Sequence, residues 1–158
     1  MVGVALGIAV AACLYWYSDE RQIRRLLNEV AASVSQEEAM GMAGVAEVMG
    51  LKNLLAPDVT LDPGPPYTGT ISGADQITST IMKVRVLMPV VLLTFVDVQV
   101  AIDAADSATV HATATITTRT TDGEQNVDAR EIVLSLAKRD GRWVIAAVEA
   151  VPVLEPVL

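Results

Sequence analysis

The first 34 positions of the chain divide into an uncharged apolar run and an amphipathic segment. No charged side chain occurs from Met1 to Tyr17. A helix of that length spans about 25 Å, just reaching the lower limit for a bilayer core of ~30 Å. Beyond it, apolar residues recur at three- and four-residue spacing, which predicts a helix with one buried face. These residues are Ile23, Leu26, Leu27, Val30 and Val34.

The helical period continues to the middle of the chain. Ser35 and Glu38 have the spacing of a capping box and predict the start of a second helix, which Pro57 would end. A Pro/Gly-rich bend with a short strand at 59–61 follows. A third helix is predicted after the bend and ends before Pro89.

From residue 90 onward the period changes from 3.6 to 2, which is typical of strands. The first such strand is predicted to bury Val96, Val98, Val100 and Ile102, and the second Val110, Ala112, Ala114 and Ile116. Two further strands meet at Asp140-Gly141, a strong hairpin signal. Helices followed by strands predict an α+β fold, with about three helices packed on a curved antiparallel sheet.

The end of the apolar run bears on where the protein works. The aromatic residues Tyr15–Tyr17 suit the headgroup layer of a membrane. We therefore expect residues 1–17 to be a single-pass transmembrane anchor and residues 18–158 to be one domain, with the side of the membrane unresolved. One alternative is a lipoprotein anchored at Cys13, because Val10–Cys13 resembles a lipobox. The others are a cleaved signal and a buried helix of the domain itself.

Charge and composition limit the classes of partner and of metal site that we expect. The net charge is −8 and every charged residue follows Ser18, so the domain repels nucleic-acid phosphate. The chain has one cysteine and one histidine, which leaves no internal disulfide and argues against a zinc site. We expect no nucleic-acid partner, no metal and no cofactor.

Three stretches carry a family resemblance: "LLAPDVTL", "SGADQITSTI" and "KRDGRWVIAAVEAV". In this order and spacing they resemble the SnoaL-like branch of the NTF2-like superfamily, over residues 18–153. The resemblance implies a cone, in which a bent sheet wraps around helices and leaves a pocket at the wide mouth. Members of the superfamily include isomerases, cyclases, epoxide hydrolases and dehydratases, as well as binding and dimerisation modules. The resemblance therefore implies a fold and a pocket, and it does not imply one reaction.

The last hairpin provides a candidate polar site. With a two-residue turn, Lys138 lies opposite Trp143 and Ile132 lies opposite Glu149. Arg130 and Glu149 then become diagonal neighbours on the face that holds Trp143. This pair would be either an anchor for a ligand carboxylate or carbonyl, or a structural ion pair.

Two other residues complete the list of pocket candidates. Tyr67 lies in the Pro/Gly bend, where it would overhang or pack on the pocket mouth. Asp97 shares the outward sheet face with Thr113 and Thr115, a face that suits either solvent or a second copy of the chain. His111 is also predicted to face outward and to be solvated.

The sequence supports two functional hypotheses. The first is a membrane-tethered NTF2-like domain that binds a small apolar ligand or a protein partner without a catalytic set. The alternative is a SnoaL-like isomerase, cyclase or hydrolase that uses Glu149 or Asp97 with Arg130 and Tyr67. A homodimer formed through the sheet is a third hypothesis and concerns assembly.

Overall fold

Three helices pack against one six-stranded sheet. The computed structural model describes residues 2–38 and 41–151. The helices are α1 (Val2–Val34), α2 (Met42–Leu51), which a 3-10 turn (Lys52–Leu54) follows, and α3 (Ala74–Leu87). The strands are β1 (Leu55–Asp62), β2 (Ile71–Ser72), β3 (Val90–Ala104), β4 (Ser107–Arg119), β5 (Gln125–Arg139) and β6 (Arg142–Ala150).

The sheet has the strand order β2-β1-β6-β5-β4-β3. Strands β3 to β6 form consecutive antiparallel pairs, but β1 pairs with β6 in parallel. The prediction of an antiparallel sheet is therefore corrected to a mixed sheet. Local periodicity identifies strands but not their partners, and β1 and β6 are about 80 residues apart in the sequence.

The core lies between α1 and the inward faces of β4, β5 and β6. Ile23 and Leu27 of α1 are fully buried in the same cluster as Val110 and Leu134. The amphipathic stripe predicted for α1 is thus confirmed, since its apolar face packs on the sheet. Burial of such side chains contributes about 1.5–3 kcal/mol each, so this contact fixes α1 on the domain.

The N-terminal part of α1 projects beyond this core. The helix is continuous from Val2 to Val34, and its larger apolar side chains between Val4 and Tyr17 are more than half exposed. Among the described residues, no helix combines the length and the apolarity that a membrane crossing requires. The predicted transmembrane helix is therefore not supported. The uncharged run is short, contains four alanines and two glycines, and passes directly into charged residues.

The segment after α1 joins the sheet instead of starting a helix. The backbone of Gln36 exchanges two hydrogen bonds with Val91, with N···O distances of 2.7 and 2.9 Å. Ser35 Oγ accepts a hydrogen bond from the N–H of Leu93 at 2.9 Å. The predicted capping box at Ser35 is wrong, because this hydroxyl satisfies a strand, and α2 starts only at Met42. Pro57 lies within β1 rather than at a helix end.

A bulge in β3 changes which residues face the core. Asp97 adopts a φ of 53°, and the pairing with β4 gains one extra residue between Val96 and Gln99. Beyond the bulge, Val98 and the apolar residues that follow it pack on the core as predicted. Before the bulge the faces are reversed, so Phe95 packs inward and Val96 is exposed.

Candidate functional site

Polar side chains gather at two places on the inward face of β5. The two centres are Arg130 and Lys138, eight residues apart, or about 26 Å along an extended strand. The first lies beside the Pro/Gly bend, and the second beside the β5–β6 turn. The two clusters are therefore separate sites.

The Lys138 cluster ties α1 to the last hairpin. Asp19 of α1 is only 2% exposed, and its Oδ1 accepts hydrogen bonds from Trp143 Nε1 and Lys138 Nζ, both at 3.1 Å. Lys138 Nζ also donates to the hydroxyl of Tyr15 at 3.3 Å. The ammonium lies 5.2 Å from the ring centroid of Tyr15 and 5.6 Å from that of Trp143, within the range of cation–π attraction.

The hairpin turn places Lys138 and Trp143 side by side. Asp140 and Gly141 have φ angles of 51° and 75°, the left-handed pair that a two-residue turn requires. Lys138 then lies directly opposite Trp143, as the sequence predicts. Their side chains share one face of the sheet, where α1 supplies the buried carboxylate.

The electrostatics of this cluster favour a structural role. The hydrogen bond to Asp19 raises the pKa of Lys138 above its ordinary value of 10.5, although burial opposes the shift. At neutral pH Lys138 is therefore a cation, which cannot act as a base or an amine nucleophile. The second carboxylate oxygen of Asp19, Oδ2, is buried and has no hydrogen-bond partner among the described residues.

Asp19 and Tyr15 are the members of this cluster that sequence reasoning missed. Tyr15 lies in the segment predicted to be a membrane anchor, and Asp19 is not among the predicted pocket residues. A signal was nevertheless present, because Asp19 precedes Ile23 by four residues and so lies on the buried stripe of α1. A carboxylate on an apolar helix face requires a buried partner.

The Arg130 cluster fixes the Pro/Gly bend. Arg130 Nε donates to Asp128 Oδ2 at 3.0 Å, and Nη1 donates to the carbonyl oxygens of Pro63 and Pro65 at 2.7 and 2.8 Å. The guanidinium also lies 5.5 Å from the ring centroid of Tyr67. The structure thus brings Arg130 and Tyr67 together, with Arg130 as the clamp that holds the bend.

Glu149 does not join Arg130, because β6 contains a bulge. Leu136 lies opposite Ile145 as expected, but Ser135 lies opposite Ala147, so one extra residue enters β6. This shift turns Glu149 to the outward face opposite Val133, where it is exposed. The predicted pairing of Ile132 with Glu149 is wrong.

The remaining candidates lie elsewhere on the molecule. Asp97 is exposed in the β3 bulge, and His111 is exposed on the outward face of β4. Trp143 belongs to the Lys138 cluster at the other end of β5 from Arg130.

Among the described residues, no three or more His, Cys, Asp or Glu side chains group as metal ligands.

A buried arginine that the sequence did not reveal connects the helices. Arg85 of α3 is 2% exposed, and its Nε donates to Gln36 Oε1 at 2.9 Å. Its Nη1 donates to the carbonyl oxygens of Ser33 and Gly44 at 3.0 and 3.2 Å, and its Nη2 lies 3.4 Å from Glu47. These contacts join α1, α2 and α3, so Arg85 is a structural residue.

An apolar groove lies between α2 and α3. Its volume is about 610 Å³. Met49, Met82, Val86 and Leu87 form its apolar lining, and the ion pair between Lys52 and Asp75 lies at its rim. Lys83, Thr78 and Ser79 complete the lining. None of the residues predicted as pocket candidates lines this groove.

Comparison with known proteins places the chain in a family. Among curated proteins, none matches the chain significantly. One similar solved structure is an NTF2-like protein with a cystatin-like fold from Novosphingobium aromaticivorans, with 15% identity, a TM-score of 0.70, and coverage of 93% of this chain and 90% of that chain. A second, from Streptomyces avermitilis, is provisionally described as a dehydratase of the NTF2-like family (16% identity, TM-score 0.63, coverage 87% and 98%).

A third similar structure is the association domain of CaMKII from C. elegans, with 16% identity, a TM-score of 0.62, and coverage of 86% of this chain and 97% of that chain. At such identities the likeness shows the fold alone. The family model described as a SnoaL-like domain matches residues 17–149. Because that match covers most of the chain, the protein belongs to the SnoaL-like family, and its helices and curved mixed sheet form the NTF2-like cone.

Proposed function

We propose that this protein is a binding domain that holds a small apolar molecule in the groove between α2 and α3. The observation that carries the proposal is the groove itself, an open apolar surface of a size suited to a ligand. Its volume of about 610 Å³ lies within the range of roughly 300–1,000 Å³ typical of small-molecule sites.

The apolar lining of the groove is unusually exposed. Val86 and Leu87 near the end of α3 are 67% and 72% exposed, and Met49 and Met82 line the same space. Contiguous apolar surface on a soluble domain marks a binding site, because covering it removes apolar area from water. The methionines add adaptability, since their unbranched side chains repack around different ligands.

The charged groups inside the domain support binding rather than catalysis. Lys138 and Asp19 neutralise each other. Arg130 donates its hydrogen bonds to the Pro/Gly bend, and Arg85 donates to Gln36 and to α2. The alternative hypothesis requires an acid and a base that converge on one open pocket. Glu149 lies on the outward face of the sheet, away from Arg130, so that particular set does not assemble.

A dye titration tests the groove directly. We expect an apolar fluorescent probe such as 1-anilinonaphthalene-8-sulfonate to bind, and Val86→Glu to weaken its affinity about tenfold or more, since a buried valine contributes roughly 1.5 kcal/mol or more. Val151→Glu is the control, because Val151, directly after β6, is also exposed (38%), does not line the groove and belongs to none of the proposed interfaces. Equal affinities for Val86→Glu and the wild type would reject the proposal.

A second copy of the chain is the protein partner that we propose. Three neighbouring rows on the outward faces of β3, β4 and β5 contain one charged residue, Glu131, and the row next to them contains Arg119. The rows are Leu92, Thr117 and Val127; Thr94, Thr115 and Ala129; and Val96, Thr113 and Glu131. Three almost uncharged rows on a chain of net charge −8 suit burial against the same rows of a second copy. The similarity in fold to an association domain agrees with this proposal.

Membrane association through residues 1–17 is a separate proposal, supported by the exposed apolar side chains at the start of α1. It concerns attachment and does not require a crossing helix. We expect the full chain to float with phospholipid vesicles in a density gradient and a chain starting at Ser18 to stay at the bottom. Flotation of neither chain, or of both equally, would contradict a role for residues 1–17. A Cys13→Ser variant produced in bacteria tests the lipoprotein alternative.

A further inference from the structure

A second, smaller groove separates α1 from the β5–β6 hairpin. Its volume is about 200 Å³. Leu26, Leu54 and Trp143 form the apolar part of its lining, and Gly141 and five polar residues form the remainder. The polar members are Gln22, Arg25, Glu29, Asn53 and Arg142.

Two arginines in this groove have no acidic partner. Among the described residues, neither Arg25 nor Arg142 forms an ion pair, whereas other basic residues of the same region do. Arg139 lies directly opposite Arg142 across the hairpin and is neutralised by Asp58 at 3.2 Å. A chain with 19 acidic and 11 basic residues thus leaves two guanidinium groups facing one small space.

We infer that the groove between α1 and the β5–β6 hairpin binds a phosphate group, held by Arg25 and Arg142. A guanidinium presents parallel N–H donors that match phosphate oxygens in a bidentate manner. The amides of Gln22 and Asn53 line the same space and supply further donors. The volume of about 200 Å³ admits a phosphate with a small substituent and excludes a large ligand.

The groove is built on the rigid part of the domain. Trp143, which lines it, is fixed by its hydrogen bond to the buried Asp19, and Leu26 belongs to the core. Glu29 opposes the site, since its carboxylate lines the same space and repels an anion. The two arginines exceed it by one positive charge, so binding is modest and weakens with added salt.

A phosphate at this position has two sources. Gln22 follows Tyr17 by five residues, so the groove lies about 8 Å along α1 from the exposed apolar segment. A phospholipid headgroup is therefore within reach if that segment meets a membrane. A soluble phosphate compound presents the same chemistry without a membrane.

The test uses the full chain at low ionic strength, with inorganic phosphate as the probe and the NMR signal of the Trp143 indole N–H as the reporter. We expect a saturable shift whose dissociation constant rises about fivefold or more in Arg25→Gln and in Arg142→Gln, because each loses a bidentate contact. Arg119→Gln removes the same charge at the distant end of β4 and is expected to change affinity less than about twofold.

Removal of a negative charge from the groove distinguishes a local phosphate site from general electrostatic attraction. Glu29→Gln should tighten phosphate binding about two- to fivefold, since it removes the opposing charge from the groove. Glu124→Gln makes the same charge change in the β4–β5 loop and should have a smaller effect. Equal effects of the two substitutions would contradict a local site.

Vesicles of phosphatidylglycerol and of phosphatidylcholine separate the two sources. Binding of inorganic phosphate that depends on Arg25 and Arg142 supports a soluble ligand. Binding that appears only with phosphatidylglycerol vesicles, and is lost in both arginine variants, supports a lipid headgroup. The inference is overturned if neither probe binds, or if Arg119→Gln weakens binding as much as the two groove variants.

Discussion

Asp19 shows how one residue connects distant parts of the chain. Its buried carboxylate accepts hydrogen bonds from Trp143 and Lys138, which are more than 115 residues later in the sequence. Burial of a carboxylate is unfavourable unless hydrogen bonds and a positive charge compensate for lost hydration. Here one oxygen receives both donors while the other receives none from the described residues, so the compensation is incomplete.

Replacement of Asp19 by asparagine separates its charge from its shape. Asp19→Asn keeps an acceptor for the Trp143 indole but removes the charge that faces Lys138. We expect the free energy of unfolding to fall by about 1–3 kcal/mol, as for other charged hydrogen bonds, when measured by urea denaturation. Asp122→Asn, in the exposed β4–β5 loop, should change it by less than about 0.5 kcal/mol. Equal free energies of unfolding for Asp19→Asn and the wild type would show that the ion pair between Asp19 and Lys138 does not stabilise the fold.

The raised pKa of Lys138 predicts how stability depends on pH. The folded-state pKa lies above the ordinary value of 10.5 that applies to the unfolded chain, so the ion pair contributes its full stability below that value. The contribution is lost as pH rises through the folded-state pKa. In urea unfolding from pH 8 to 11.5, the wild type should therefore lose stability at the alkaline end relative to Asp19→Asn. Parallel curves for the two proteins would refute the linkage.

The β5–β6 hairpin shows how an element combines a predictable turn with an unpredictable bulge. Its turn residues Asp140 and Gly141 have the expected positive φ angles, because short polar or absent side chains tolerate that region. The extra residue in β6 has no comparable local signal. It lets Ile145 and Val148 both face the core on either side of the irregularity, so packing selects the bulge.

Two glycine substitutions, one in this turn and one in α2, should change the stability of the protein in opposite directions. At Gly141 an added methyl group meets no atom within 4 Å, but the backbone has a φ of 75°. Gly141→Ala should therefore destabilise the protein by about 1–2 kcal/mol through conformation alone. At Gly50 in α2 the added methyl group is equally free of contacts, and Gly50→Ala should stabilise by up to about 1 kcal/mol. Thermal unfolding measures both, and shifts of the same sign would contradict the argument.

At the scale of the whole molecule, two apolar surfaces among the described residues are exposed to solvent. One is the start of α1, and the other is the groove between α2 and α3. The outward sheet face is a third large surface, and its threonine-rich rows carry a single charged residue. Covering any of these surfaces with a partner lowers the free energy, because apolar area is removed from water.

The sheet face provides a prediction about assembly. If two copies associate through β3, β4 and β5, Thr115→Glu places like charges in the middle of the interface, and light scattering after size exclusion should show the mass of a monomer. A chain starting at Ser18 is the appropriate background, because it lacks the apolar start of α1. Thr80→Glu, on α3, adds the same charge away from the sheet and should leave a dimer intact. A monomeric parent chain would contradict the proposal.

The sequence alone determined the elements that depend on local patterns. The amphipathic face of α1, the inward residues Val110, Ala112 and Ala114 of β4 and the Asp140-Gly141 turn follow from periodicities of 3.6 and 2 and from backbone sterics. Ile116, which the same pattern predicts to be buried, is 43% exposed. These features, with the three motifs, were sufficient for the α+β cone and its family. Lys138 opposite Trp143 follows from the turn in the same way.

Only the tertiary structure decided the features that depend on partners distant in sequence. The parallel pairing of β1 with β6, the strand contacts of Gln36 and the bulges in β3 and β6 each depend on partners nine or more residues away. The bulges reverse side-chain direction, because a strand has a period of two and one added residue exchanges its faces. For that reason Arg130 donates its hydrogen bond to the Pro/Gly bend and does not pair with Glu149. The packing of α1 on the sheet makes Asp19 the buried partner of the last hairpin.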